Sequence, residues 1–265
     1  MSDDQAAAPD PETDRALGKM SFMEHLGELR TRIMWSLVSA GVGIIIAFFI
    51  TDPAMRFISR PLLSMKTELV FTSPTEAFWT WMKVAMVLGI FISMPGILFQ
   101  VWKFVSPGLH EHEKKYAAPF IIIGSLLFLI GGAFAMLIII PYASTFLVTF
   151  GQEKGWKPML TVSSYTDFVI KFALAFGVVF ELPVVITILS LIGVVTPQFL
   201  SKNRKYAILV NFVIAAILTP TPDMINQTLM AGPLCILYEV GIICARLATR
   251  KRKTATPPVE PASTP

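Results

Sequence analysis

The stretch Ala117-Ala-Pro-Phe-Ile-Ile-Ile-Gly-Ser-Leu-Leu-Phe-Leu-Ile-Gly-Gly-Ala-Phe-Ala-Met-Leu-Ile-Ile-Ile-Pro-Tyr-Ala-Ser-Thr-Phe-Leu-Val-Thr-Phe150 decides the fold. It holds no Asp, Glu, Lys or Arg, and only Pro141 breaks it. About 20 apolar residues suffice for a helix to cross ~30 Å of hydrocarbon, so this run reads as a membrane span. Working outward, five more apolar segments flank it: Ile33 to Ile50, Ala77 to Val101, Phe168 to Val195, Tyr206 to Leu218 and Met224 to Leu247. The Tyr206–Leu218 segment is short. Either it crosses a locally thinned bilayer, or it forms a re-entrant hairpin with the last segment around Thr219-Pro220-Thr221-Pro222-Asp223.

The composition agrees. Apolar residues make up 54% of the 265-residue chain, charged residues 15%, and mean hydropathy is +0.64. A soluble domain carries roughly 25% charge. A disordered chain, a coiled coil and a disulfide scaffold are excluded. The expected fold is all-α and polytopic, with six transmembrane helices. Pro95, Pro119, Pro141, Pro183 and Pro233 fall in the apolar segments and predict kinks. Residues 1–20 and 249–265 read as disordered cytoplasmic tails around a membrane domain at 21–248. The N-terminal tail is acidic and lacks the basic start of a signal peptide.

Basic residues set the orientation. With six crossings, fifteen Lys and Arg fall on the side of the two termini and five (Arg56, Arg60, Lys66, Lys154, Lys157) on the other. By the positive-inside rule both termini are cytoplasmic. A hairpin of the last two segments would leave the termini on that same side.

In so apolar a chain the remaining polar residues stand out. Ser21-Phe-Met-Glu-His-Leu-Gly-Glu-Leu-Arg-Thr-Arg32 opens with a capping-box pattern at Ser21 and Glu24. Phe22, Leu26, Leu29 and Ile33 make an apolar stripe, so the stretch reads as an amphipathic helix lying at the cytoplasmic surface and feeding into the membrane as the opening of the first span. Its polar face carries Glu24, His25, Glu28, Arg30 and Arg32. Carboxylates are poorly explained by anchoring to anionic lipid. Glu28 could pair with Arg32 at i, i+4. Glu28 could also join Glu113, from His110-Glu-His-Glu113, as a pair of acceptors for two guanidinium groups. Two further readings of His110–Glu113 are a solvated helix start and a metal site, the latter lacking further ligands at helical spacing. Glu181, before Pro183, is an acid deep in a span and reads as functional or as a buried hydrogen-bonded group. Glu239 is a second intramembrane acid. Lys83, Asp167 and Lys171 read as structural, with Asp167 and Lys171 able to pair at i, i+4. Cys235 and Cys244 form no redox or metal motif. No phosphate loop, zinc-protease motif or nucleophile elbow is present.

Four motifs in order resemble the TatC family, the large membrane subunit of the twin-arginine protein translocase. They are His25-Leu26 with Glu28-Leu29-Arg30 and Arg32; Gln100, Trp102, Phe104, Pro107-Gly108-Leu109 and Glu113; Phe180-Glu181 with Pro183; and Thr219-Pro220 through Asp223 followed by Gln227-Thr228-Leu229. The resemblance implies a receptor for twin-arginine signal peptides of folded proteins, driven by the proton-motive force, in a prokaryotic inner membrane. It implies a cupped bundle whose hollow Glu181 faces. Glu28 and Glu113 would accept the two arginines, with His25 and Arg30 shaping the patch. Pro61 matches a proline of the first periplasmic loop, and Asp223 belongs to the last. Thr219, Gln227 and the short spans would dock single-span TatA-like and TatB-like partners in a multi-copy complex. No cofactor, metal, nucleic-acid partner or enzymatic activity is expected. Two departures are an extra residue in Leu218–Asp223 and Met136 where the family carries an aromatic residue. The competing reading is a proton-coupled small-solute carrier using Glu181.

Overall fold

In a computed structural model of the chain, residues 22–64, 69–108, 117–218 and 224–255 are described. Each apolar run becomes a helix. The helices are α1 (Phe22–Phe48), α2 (Thr51–Ser64), α3 (Pro74–Val105), α4 (Ala117–Phe134), α5 (Ile140–Glu153), α6 (Val162–Phe180), α7 (Leu182–Leu191), α8 (Pro197–Lys202), α9 (Arg204–Leu218) and α10 (Met224–Ala255). A π-helical stretch, Ala135–Ile139, joins α4 to α5, and a 3-10 turn, Ser106–Gly108, follows α3.

Among the described residues, five continuous stretches are long and apolar enough to cross a membrane: Met23–Phe48, Pro74–Val105, Ala117–Glu153, Val162–Leu191 and Gln227–Arg250. The short helix α9 has 15 residues, about 22 Å against the ~30 Å of a bilayer core. It lies antiparallel on α10, since Arg204 meets Glu239 while the Phe212 carbonyl meets Gln227. The turn containing Thr219 and Asp223 lies outside the described residues.

Prolines interrupt two of the long stretches. Pro141 has no N–H to give to the preceding turn. The chain answers with a wider turn, in which the Ile140 N–H reaches back five residues to the Ala135 carbonyl. Pro183 ends α6 at Phe180, and the chain restarts as α7 with the Val185 N–H on the Glu181 carbonyl at 2.9 Å. This stretch begins at Val162, six residues before the expected start. Its polar first turn is stabilised by the Thr161 hydroxyl, which caps the Ser164 N–H at 3.2 Å.

Small residues let α1 and α3 approach closely. Gly43, Ser39, Gly89, Ser93 and Gly96 share the seam, and a Cβ on Gly89 would lie 2.6 Å from the Ile44 Cα. Much of the rest of α1, including Trp35, Leu37 and Ile45, is exposed. Such a surface is stable only against hydrocarbon. The core lies where α4 and α5 meet α6, with Phe176, Ile139, Ile140 and Val169 essentially inaccessible.

Two expectations are refined. The amphipathic opening, expected to lie at the surface and feed into the membrane, does not bend away from the span. It is the first turns of α1, with no Pro between it and the span. Its stripe residues Leu26, Leu29 and Ile33 are exposed. α10 continues to Ala255 through Arg250-Lys-Arg-Lys253, into the stretch expected as a tail at 249–265. Lys and Arg are good helix formers and suit a helix C-terminus. The fold is nearly all helical, as expected, with one short extended contact. Leu69 pairs with Leu160 and Val70 with Thr161 in a two-residue parallel ladder. Beside it the Glu76 carboxylate accepts the Thr72 N–H (2.7 Å), the Thr72 hydroxyl (2.8 Å) and the Ser163 N–H (3.1 Å). One side chain thus holds the starts of α3 and α6 together.

Candidate functional site

His25, Glu28 and Arg32 fall three and four residues apart, so they share one face of α1. That face is turned to α3. The antiparallel register is set by Gly43 against Gly89, Ser39 against Ser93, and His25 against Phe104. The same register brings Arg32 to the level of Gln100, with Glu28 one turn further toward the helix start. The imidazole of His25 stacks on Phe104, with ring centroids 4.4 Å apart and planes at 18°. On another face of α3, buried Trp102 packs on Phe120 at 5.1 Å and anchors the wall.

The polar atoms of this recess are only half satisfied. Glu28 Oε1 accepts the Arg32 Nη2 at 2.8 Å. Glu28 Oε2, Arg32 Nε and Gln100 Oε1 are buried without hydrogen-bond partners. Leaving such atoms unpaired costs about 1–3 kcal/mol each. The orphaned Glu28 oxygen suits a donor that brings several N–H groups in one plane, and a guanidinium is that group.

The other singled-out residues lie elsewhere. Arg30 is exposed and sits about 200° around α1 from Glu28, on a different face. Glu113, with the whole His110–Glu113 run, lies outside the described residues, as do Thr219 and Asp223. Pro61 lies half-buried inside α2. Glu181 is enclosed by protein, 7% exposed, with Oε1 unpartnered. A Cβ on Gly124 would lie 3.1 Å from its Oε2, so the carboxyl fits because residue 124 has no side chain. Glu239 is held by Arg204 in a two-point ion pair, at 2.7 and 2.8 Å. Gln227 donates from Nε2 to the Phe212 carbonyl at 3.1 Å, tying α10 to α9. Asp167 takes Lys83 on α3 at 2.8 and 2.9 Å. The i, i+4 partner Lys171 is passed over, because a cross-helix pair joins two spans while a local one joins none. Among the described residues no group of three His, Cys, Asp or Glu could hold a metal.

Sequence reasoning did not single out Gln100 for a role of its own. The signal was present: Gln100 and Phe104 are i, i+4 on the α3 face that meets Glu28 and His25.

The family model for the Sec-independent protein translocase protein TatC matches residues 24–233. The chain belongs to the TatC family. A TatC protein of Carboxydothermus hydrogenoformans is 44% identical over 88% of this chain and 95% of its own length. The Aquifex aeolicus TatC is 40% identical over 88% and 98%, and Bacillus subtilis TatCy is 33% identical over 92% and 96%. A solved structure described as the twin arginine translocase receptor TatC superposes with a TM-score of 0.72 at 40% identity, covering 85% of this chain and all of that one. A second, in a detergent, gives 0.74 at 39% identity, covering 83% and 99%. The protein is therefore a TatC-type translocase component with membrane-spanning helices, a transport role. The small-solute carrier reading finds no support among these relatives.

Proposed function

We propose that this TatC family member is the receptor subunit of a twin-arginine translocase, binding the paired arginines of signal peptides on folded cargo. The observation that carries this reading is Glu28: one carboxylate oxygen is held by Arg32 while the other is buried and unpaired. A peptide guanidinium would satisfy that free oxygen. Glu113 would receive the second arginine. His25, fixed on Phe104, borders the patch, and Arg30 meets the peptide's flanks or lipid from the outer face.

In this reading six spans form a kinked, cupped bundle with both termini cytoplasmic, as the distribution of basic residues supports. Export draws on the proton-motive force. The short α9 and the full-length α10, with Gln227 and Thr219, dock single-span TatA-like and TatB-like subunits in a multi-copy complex; the sixth span is not short as expected, since α10 has 32 residues. Pro61, within α2, and Asp223 shape the far-side connections, and Glu181 lies along the route of the inserted signal peptide.

The test is photocrosslinking from position 28 to a twin-arginine signal peptide, with a twin-lysine peptide as control. Selective adducts with the arginine peptide are expected. Equal adducts with both peptides would remove the guanidinium argument.

A further inference from the structure

Arg32 already holds the carboxylate that a signal-peptide arginine would need. Its Nη2 donates to Glu28 Oε1 at 2.8 Å, one helical turn away on α1. Both side chains are turned inward, Arg32 25% and Glu28 13% exposed. A guanidinium and a carboxylate meet best side-on, through two parallel N–H···O bonds. Here the second bond is unmade. Glu28 Oε2 is a buried acceptor without a donor, and Arg32 Nε is a buried donor without an acceptor.

The unpaired donor has an acceptor at its own level across the seam. α3 offers α1 the face carrying Gly89, Ser93, Gly96, Gln100 and Phe104, spaced three and four residues apart. Two contacts fix the register. A Cβ on Gly96 would lie 3.1 Å from the Ser39 Cβ, and His25 stacks on Phe104. Arg32 stands seven residues from Ser39 and seven from His25, two turns either way on one face. Gln100 stands four residues from Gly96 and four from Phe104. Each is the midpoint of its helix between the two contacts. Gln100 Oε1 is buried and unpaired. The guanidinium is rigid and planar, so with Nη2 aimed at Glu28 its Nε is left short of any acceptor.

We propose that Arg32 is an exchangeable plug: it holds Glu28 until an arginine of the signal peptide arrives, then turns to Gln100. The inference rests on the signal-peptide reading and adds how that site is regulated. The peptide guanidinium lands first on the free Oε2 of Glu28. Two guanidinium groups on one carboxylate repel each other. Arg32 relieves the repulsion by moving to the neutral Gln100 oxygen, and the peptide arginine takes both carboxylate oxygens. A lysine ammonium is a point donor that does not match the two oxygens side-on, so it gains less from displacing Arg32. The plug lowers affinity and sharpens the choice of arginine over lysine. Arg32 and Gln100 are thus positioning residues, and Glu28 is the group that touches the peptide.

The test is a double-mutant cycle read by peptide affinity. Labelled twin-arginine and twin-lysine peptides are titrated onto the full chain in detergent, with thermal unfolding of each sample alongside. Arg32→Gln removes the plug and should tighten twin-arginine binding about fivefold. Arg32→Met, which keeps the apolar stem, should do the same. Gln100→Leu removes the resting place of the plug. It should weaken binding about fivefold in the wild-type chain and less than about twofold in the Arg32→Gln chain. Weaker or unchanged binding in the Arg32 variants would overturn the proposal. So would a Gln100→Leu loss of equal size in both chains, which would put Gln100 directly on the peptide. A wild-type chain that binds the twin-lysine peptide as tightly as the twin-arginine one would remove the receptor reading itself, and this inference with it.

Discussion

Replacing Glu28 by Gln keeps the shape of the side chain and removes its charge. If Glu28 serves only Arg32, the loss is that of an intrahelical i, i+4 pair, about 0.3–0.5 kcal/mol. For a chain of this size that lowers Tm by about 1–2 °C. If its free oxygen receives a peptide guanidinium, binding loses a charged hydrogen bond as well, about 1.5–3 kcal/mol. The Glu28 side chain is only 13% exposed, so little of that is screened by water. A loss of about 2 kcal/mol weakens Kd roughly 30-fold. Fluorescence anisotropy of a labelled twin-arginine peptide on the detergent-solubilised protein reads the affinity, and thermal unfolding of the same sample reads the fold. The expected result is a large change in Kd beside a small change in Tm. A Kd that moves less than about twofold would refute the receptor role of Glu28 and leave it as Arg32's partner alone.

Three other substitutions test the same structure. Gln100→Leu removes the unpaired Gln100 oxygen; thermal unfolding should hold or improve, while twin-arginine peptide affinity falls about fivefold, the loss of about 1 kcal/mol. Gly89→Ala puts a Cβ 2.6 Å from Ile44 Cα and should cost about 1–3 kcal/mol in thermal unfolding. Gly41→Ala, with open space around it, should cost nothing measurable. Lys83→Met strands Asp167 between α3 and α6, and a second change, Asp167→Leu, should recover most of the lost stability in a double-mutant cycle. Simple addition of the two losses would show that the pair contributes nothing.

The long spans were legible because hydrocarbon imposes a crude length and composition requirement that single residues satisfy independently. The recess was legible only in part. Glu28 and His25 announce themselves as polar residues on an apolar helix, but Gln100 acquires meaning only when the α1–α3 register sets it beside Arg32. The choice of Lys83 over Lys171 by Asp167 is likewise a tertiary fact that no local spacing contains. Phase was lost at Ala135–Ile139. The buried residues Gly124, Phe128, Gly131 and Ala135 keep ordinary helical spacing, but the next, Ile139 and Ile140, come four and five residues later. A 3.6-residue period carried through Pro141 assigns the wrong face to the residues of α5. The Leu69–Leu160 ladder joins residues far apart in sequence and leaves no periodic trace.

Glu76 and the ladder give the bundle an uneven mechanical character. At that end, hydrogen bonds cross between the starts of α3 and α6. At the opposite end, around Glu28 and Gln100, the described contacts between α1 and α3 are a ring stack and unpaired polar atoms. The two ends of α3 are thus held by different chemistry: hydrogen bonds at its start, and aromatic packing of Phe104 on His25 and of Trp102 on Phe120 at its other end. Its 32 residues set those two ends about 48 Å apart.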